Sequence, residues 1–237
     1  MSKDLKLPYQ DHLNPKIWDG LKLKPEVLKQ LRKISDKFIE WCDAPDMQIK
    51  DIVLCGSIAN YNWDPKHSDI DIHIFIDLDD FKDKCGEFAE DFFDVKNKRF
   101  KEVFPTKIYG MPVEITVEDY KKSAVSLAIY SIKKGEWVKK PVYKKPKYDS
   151  EKAKEISDKW KKKFDDVIAK KDAKYDEIEN VRDDFKDFRS KNLEKGGEFD
   201  PANIAFKHIR RKGLIDKAKA KAQKALSKEL SLTKKKD

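Results

Sequence analysis

Residues 54–76 read Leu-Cys-Gly-Ser-Ile-Ala-Asn-Tyr-Asn-Trp-Asp-Pro-Lys-His-Ser-Asp-Ile-Asp-Ile-His-Ile-Phe-Ile, and this stretch decides the fold. It begins as the end of an apolar strand, turns at Gly56-Ser57, crosses a polar loop and enters a second strand that carries Asp69 and Asp71. Side chains alternate between the two faces of a strand, so both carboxylates face the same way. Isoleucine at every second position from Ile70 to Ile76 fills the opposite face and fixes the register.

Two parallel carboxylates on a rigid strand are suited to binding a pair of Mg²⁺ ions, which take oxygen ligands and leave room for substrate phosphates. Gly56-Ser57 can add backbone N–H groups and a hydroxyl at the start of a helix, where an anion is favoured. The alternative interpretation is a solvated strand face that happens to carry Asp. We favour the metal site because Gly-Ser ends one apolar strand and Asp-x-Asp begins the next, and a motif is more informative when its structural context fits.

Composition bounds the class of protein. The chain has 237 residues, which is enough for one large domain or two small ones. No apolar run approaches the roughly 20 residues of a membrane span, and the N-terminal Met-Ser-Lys-Asp lacks an apolar signal segment. Three cysteines without metal-ligand spacing fit a reducing compartment, with Cys42 and Cys55 as small core residues. We therefore expect a cytoplasmic protein without a membrane partner.

The net charge of +9 is unevenly distributed. Residues 141–237 hold 29 Lys and Arg against 19 Asp and Glu, whereas residues 1–140 hold 24 against 25. This asymmetry favours a polyanionic partner for the C-terminal half. The alternative is that the lysine-rich helices are simply well solvated, since many of their basic residues alternate with acids.

Periodicity and turn residues predict the order of elements. Strands are expected at 49–55 and 69–77 and on either side of Gly110-Met-Pro. Residues 128–138 are expected to form a hairpin or a short extended segment. Helices are expected at 25–43, 79–100, 151–169, 173–192, 201–213 and 214–230. The helix at 79–100 is expected to bury one stripe, formed by Phe81, Cys85, Phe88, Phe92 and Val95. The order predicts an α+β fold, in which a mixed sheet flanked by helices (1–140) is followed by a linker (141–150) and a helical domain (151–237).

The pattern resembles the nucleotidyltransferases of the DNA polymerase β superfamily, whose signature is Gly-Ser, a gap of about this length, and Asp-x-Asp between hydrophobic residues. More weakly, the whole chain is similar to nucleotidyltransferase proteins encoded by tailed bacteriophages, through Lys16-Ile-Trp, Tyr109-Gly-Met-Pro-Val-Glu and Gly197-Glu-Phe-Asp-Pro-Ala. The superfamily resemblance implies a polymerase β-like mixed sheet. It also implies a third acidic group on a neighbouring strand. Glu114 is the acid placed inside a downstream apolar strand pattern, although the family often has Asp there.

The resemblance also implies roles for these residues. Asp69, Asp71 and Glu114 would be the catalytic residues and the ligands of two Mg²⁺ or Mn²⁺ ions, with an NTP as the donor substrate. Strand alternation places His73 on the face of the two aspartates, where it could bond to a carboxylate or contact the nucleotide. A supporting or partly buried histidine is the favoured interpretation. Gly56 and Ser57 would hold the outer phosphates. Asn60 and Tyr61 are further candidates for nucleotide binding, with a helix surface as the alternative. Three cations that share one helix face could also contact the triphosphate, with a solvated basic face as the alternative: Lys207, Arg210 and Arg211.

The sequence therefore predicts a metal-dependent enzyme that moves a nucleoside monophosphate from an NTP to a hydroxyl. The basic C-terminal half favours a nucleic-acid end, such as that of tRNA, as the acceptor. Two alternatives stay open: a transferase that modifies a small molecule or a protein, and a non-catalytic nucleic-acid-binding module of the same fold.

Overall fold

The computed structural model describes residues 5, 8–44, 47–79, 88–121, 126–144 and 147–232. The chain divides into two compact units. One lies within residues 8–145 and contains the strands, and the other lies within residues 146–237 and is helical. The second unit also includes the N-terminal segment with Leu5, which packs in a small buried cluster with Ala153 and Ile204. The predicted α+β class, with a mixed sheet flanked by helices, is confirmed.

The first unit is built on a mixed sheet. Its described strands are β1 (Trp18–Asp19), β2 (Lys22–Leu23), β3 (Ile49–Cys55), β4 (Ile70–Ile76), β5 (Lys107–Ile108), β6 (Met111–Asp119), β7 (Ile129–Ser131) and β8 (Glu136–Lys139). Strands β1 and β2 pair with each other, and the main sheet has the order β5-β6-β4-β3-β7-β8. Strands β4 and β6 run parallel, while the other neighbours in the main sheet are antiparallel.

The helices begin and end largely where the local sequence dictates. Their bounds are α1 (Pro25–Cys42), α2 (Ala89–Val103), α3 (Ser150–Ala169), α4 (Tyr175–Gly196), α5 (Pro201–Arg211) and α6 (Leu214–Leu230). Pro25 opens α1 because proline fixes φ and lacks the N–H that a first turn leaves unpaired. The Asp200 side chain caps α5 by accepting a bond from the backbone N–H of Ala202 at 2.8 Å. Gly213 lies between α5 and α6 with a left-handed backbone (φ +69°).

The core of the first unit lies between the sheet and helices α1 and α2. All four isoleucines of β4 from Ile70 to Ile76 are at most 1% exposed, so the predicted register is confirmed. Helix α1 buries Leu31 and Phe38 against this face, and the Phe38 ring meets that of Phe100 on α2 edge to face, with centroids 5.3 Å apart. Burial of these side chains stabilises the unit by about 1.5–3 kcal/mol each. It also holds β4 rigidly in place.

The stripe predicted for α2 is wrong in its register. Phe88 and Val95 are 73% and 64% exposed, whereas Ala89, Phe93 and Phe100 are buried. Phe92 and Phe93 are neighbours, so two helical stripes one residue apart were both compatible with the sequence. The packing of α2 against the sheet selects the second stripe. The first part of the predicted helix, with Phe81 and Cys85, falls outside the described residues.

Two of the cysteines lie in the core of the first unit. Cys42 and Cys55 are buried small core residues, as expected, and the pKa of Cys42 is raised to about 11 by burial. Among the described residues, no helix combines the length and the apolar character that crossing a membrane would require.

Candidate active site

Three predicted carboxylates come together at one end of the sheet. Asp71 on β4 is paired in register with Glu114 on the parallel strand β6, and Asp69 directly precedes β4. Each of the three residues offers one oxygen, and these oxygens all lie within 4.8 Å of one another. The residues are half-buried. Carboxylates held this close repel one another when ionised, so the cluster favours a bound cation.

The donor set fits a divalent metal. Two oxygens on opposite sides of one Mg²⁺ ion are about 4.2 Å apart, because each Mg–O distance is about 2.1 Å. The three carboxylate oxygens, all within 4.8 Å of one another, are near enough for one ion to contact them. The ligands are oxygen atoms, which Mg²⁺ and Mn²⁺ prefer. Asp69, Asp71 and Glu114 are therefore the residues that could hold the metal.

Gly56 lies against the carboxylate of Asp71. Cys55, at the end of β3, is paired with Asp71 across the antiparallel strands, and the next residue turns with φ +72° and ψ −160°. A Cβ added at position 56 would lie 1.9 Å from Oδ2 of Asp71. Glycine is needed here for two reasons: this backbone conformation is almost exclusive to it, and any side chain would displace the carboxylate.

Ser57 begins a three-residue 3₁₀ turn (Ser57–Ala59) rather than a full helix. The expected helix start is thus only one short turn, so an anion here would depend on local N–H and hydroxyl groups rather than on a helix dipole. The Ser57 hydroxyl is bonded to that of Ser68 at 2.8 Å, and Ser68 Oγ also accepts a bond from the backbone N–H of Asp64. These bonds tie the Gly-Ser turn to the loop that leads into Asp69.

Asn60 and Tyr61 follow the turn. Asn60 is buried, and its side-chain oxygen accepts a bond from the backbone N–H of Tyr61 at 2.8 Å. Asn60 therefore shapes the loop, and the interpretation of it as a surface residue is wrong. Tyr61 is half-buried, and its carbonyl accepts a bond from the Gln10 backbone N–H at 2.7 Å. Contact of Asn60 and Tyr61 with a nucleotide stays a prediction.

His73 occupies the same face of β4, two residues beyond Asp71. Its Nδ1 lies 3.2 Å from Glu118 on β6, and both side chains are largely buried. Burial lowers the pKa of His73, but contacts with Cys55 and Glu118 outweigh it and raise this pKa to about 10. The expected partial burial of His73 is confirmed, and its supporting role at the site stays a prediction. Glu118 on β6 is the partner of His73.

The predicted cations of the C-terminal half lie on α5 in the helical unit. The opposite face of α5 buries Ile204, Ala205 and Ile209. Lys207 forms an ion pair with Glu198 of the same unit. The role of Lys207, Arg210 and Arg211 in nucleotide binding stays a prediction.

Two residues at the site were not foreseen. Lys101, near the end of α2, forms an ion pair with Glu114 and so partly neutralises the carboxylate cluster. Trp18 of β1 is buried, and its indole N–H donates to the carbonyl of Ile58 at 2.8 Å, which anchors the Gly-Ser turn. No sequence signal marks Lys101, because it is one of several cations on an amphipathic helix. Trp18 beside Gly20 does carry a turn signal, and the residues around it form the β1–β2 ribbon.

Comparisons with known proteins add little at the level of sequence. No family model matches the chain, and no curated protein matches it. Among solved structures, the chain is similar to a STING-associated CdnE c-di-GMP synthase from Capnocytophaga granulosa. The identity is 14%, the alignment covers 87% of this chain and 84% of the other, and the TM-score is 0.23. Similarity at this level is too low to indicate a function.

Proposed function

We propose that this protein is a metal-dependent nucleotidyltransferase of the polymerase β type, which moves a nucleoside monophosphate from an NTP to an acceptor hydroxyl. One observation carries the proposal: the oxygens of Asp69, Asp71 and Glu114 lie within 4.8 Å of one another at the end of two parallel strands, beside a Gly-Ser turn. Half-buried carboxylates clustered in this way are costly unless a cation neutralises them.

Each side chain has a distinct task in this proposal. Asp69 and Asp71 would hold the metal ions, and Glu114 would be a further ligand or would take the proton of the acceptor hydroxyl. Gly56 allows the backbone to approach Asp71 closely, and Ser57 contacts the outer phosphates. When Mg²⁺ or Mn²⁺ is bound at two positions, it lowers the pKa of the acceptor hydroxyl and stabilises the leaving pyrophosphate.

A nucleic-acid end is the acceptor class that the charge distribution favours. The surplus of cations in residues 141–237, 29 against 19 acids, would attract a polyanion. A tRNA end is one member of this class. A small molecule or a protein carrying the accepting hydroxyl is the alternative within the same chemistry.

The proposal is tested by incubating the protein with each α-³²P-labelled NTP, Mg²⁺ or Mn²⁺, and RNA, DNA or protein fractions from a host cell. Wild type is compared with Asp71→Asn and with the control Asp79→Asn, a carboxylate shortly after the same strand that is paired with Lys121. We expect label in one fraction with wild type and with the control, and at least a hundredfold less with Asp71→Asn.

Equal labelling by wild type and Asp71→Asn would refute the site assignment. Absence of label in every fraction, from folded protein that binds NTP, would refute the macromolecular acceptor. Small-molecule acceptors would then be tested by thin-layer chromatography of the labelled products. Absence of transfer to these as well would favour the non-catalytic binding module.

A further inference from the structure

Three tyrosines pack together at the surface of the first unit. The ring centroid of Tyr143 lies 5.7 Å from that of Tyr9 and 5.2 Å from that of Tyr61, and the rings of Tyr9 and Tyr61 are 6.4 Å apart. The hydroxyl of Tyr9 accepts a bond from the backbone N–H of Lys144 at 3.0 Å, which holds the segment after β8 against the cluster. We call these three residues the tyrosine surface.

The tyrosine surface is open to solvent. Tyr143 keeps 54% of its surface exposed, and the adjacent Val142 keeps 73%. Buried tyrosines contribute to stability through packing, but a half-exposed ring next to an exposed valine contributes little. Aromatic rings held by other aromatic rings and left partly bare form a stacking platform for a flat ligand.

The segment that carries Tyr143 has charge of one sign. Residues 137–148 read Trp-Val-Lys-Lys-Pro-Val-Tyr-Lys-Lys-Pro-Lys-Tyr and contain five lysines and no acid. Lys140 and Lys144, on either side of Tyr143, are exposed. Cations interleaved with an exposed aromatic ring match the alternation of phosphate and base in a single strand of nucleic acid. A duplex hides the faces of its bases and could use only the cations.

The tyrosine surface is also within reach of the carboxylate cluster. Tyr61 follows Ser57 by four residues, so their Cα atoms are at most about 14 Å apart. Ser57 in turn adjoins Gly56, whose backbone lies against Asp71. A strand whose terminal hydroxyl lies at the carboxylates would therefore place a base only a few nucleotides from its end beside these rings.

We propose that the tyrosine surface, with Lys140 and Lys144, binds the single-stranded end of a nucleic acid by stacking a base on Tyr143. The inference rests on the proposed function for its biological meaning, since it specifies the acceptor as a single strand. The binding itself needs neither metal nor NTP, so it can be measured separately from transfer.

The test is fluorescence polarisation with 5′-fluorescein-labelled U12, dT12 and a 12-base-pair duplex, in EDTA, over a series of salt concentrations. We expect Tyr143→Ala to weaken binding of the single strands by about 5- to 150-fold. Tyr143→Phe should retain binding, because stacking does not need the hydroxyl. The matched control is Tyr109→Ala, which removes a ring of similar exposure (51%) that lies near Glu26 instead.

The lysines are tested through the salt dependence. Replacing both Lys140 and Lys144 by Ala should reduce the slope of log K against log salt by about 1.4, since each phosphate contact on a single strand contributes about 0.7. Equal affinities for U12 and dT12 would indicate that the protein contacts only bases and phosphates. A higher affinity for U12 would indicate an additional contact with the 2′-hydroxyl.

Three results would overturn the proposal. The first is that Tyr143→Ala binds the single strands as tightly as wild type. The second is that Tyr109→Ala loses as much binding as Tyr143→Ala. The third is that the duplex binds more tightly than the single strands and that Tyr143→Ala has no effect on its binding. The two proposals fail separately, because Asp71→Asn is expected to lose transfer yet to bind U12 like wild type.

Discussion

Replacement of Gly56 by alanine is the sharpest test of the site geometry. The new Cβ would lie 1.9 Å from Oδ2 and 2.9 Å from Cγ of Asp71. Non-bonded heavy atoms keep a separation of about 3.5 Å, so the carboxylate must move by roughly 1.5 Å. In addition, the backbone at φ +72° and ψ −160° is open almost only to glycine, and another residue there costs on the order of 1–3 kcal/mol.

Both effects have measurable consequences. We expect Gly56→Ala to lower the free energy of unfolding by at least about 1–3 kcal/mol. Metal coordination tolerates errors of only about 0.2 Å in ligand distance. A carboxylate displaced by roughly seven times that amount should weaken Mn²⁺ binding by at least about 10- to 100-fold.

The assay combines urea denaturation, followed by tryptophan fluorescence, with Mn²⁺ titration followed by electron paramagnetic resonance. Gly20→Ala and Gly110→Ala are matched controls, because both glycines have positive φ (+56° and +87°) but nothing within 4 Å of the added Cβ. They should lose about 1–2 kcal/mol of stability from backbone strain and bind Mn²⁺ like wild type. Wild-type Mn²⁺ affinity in Gly56→Ala, or an equal loss of affinity in the controls, would refute the reasoning.

Three further changes have clear expected outcomes. Lys101→Met removes the cation paired with Glu114 and should raise Mn²⁺ affinity by up to about fivefold, as for an exposed ion pair; a lower affinity in the same titration would contradict this. Trp18→Phe leaves the buried carbonyl of Ile58 without its donor and should cost about 1–3 kcal/mol in urea denaturation. His208 has a lowered pKa because of burial and then of neighbouring cations. The unfolded chain therefore binds more protons as pH falls below about 6.5, the ordinary histidine pKa, and stability should fall there. His208→Gln should flatten the dependence of unfolding on pH, and an unchanged dependence would assign it to other groups.

The features that could be predicted from the sequence are those determined by residues close together in the chain. The alternating isoleucines of β4 define both the strand and its buried face, so the shared direction of Asp69 and Asp71 followed directly. The first residues of α1 and α5 could be predicted from Pro25 and from Asp200-Pro201, because the preference of these residues for a helix start acts within a few residues. Glu114 could be selected because it stands inside an apolar strand.

The remaining features depend on how elements pack. The contact of Gly56 with Asp71 requires β3 to lie next to β4, and a strand pattern does not specify sheet order. The pair formed by Lys101 and Glu114 depends on the position of α2 over β6. The wrong stripe on α2 has a similar origin, since two adjacent phenylalanines gave two possible faces and only the sheet distinguishes them.

The parallel pairing of β4 with β6 has a consequence for biosynthesis. Asp71 and Glu114 are partners in register, yet they are distant in the sequence, and the whole of α2 is synthesised between them. Contacts of this kind form slowly, because a long loop must close first. During translation the first two carboxylates leave the ribosome well before the third, so the nascent chain lacks the complete carboxylate cluster. The cluster forms only once β6 has paired with β4, and if it holds a metal as proposed, Mn²⁺ capture would report on this step of folding.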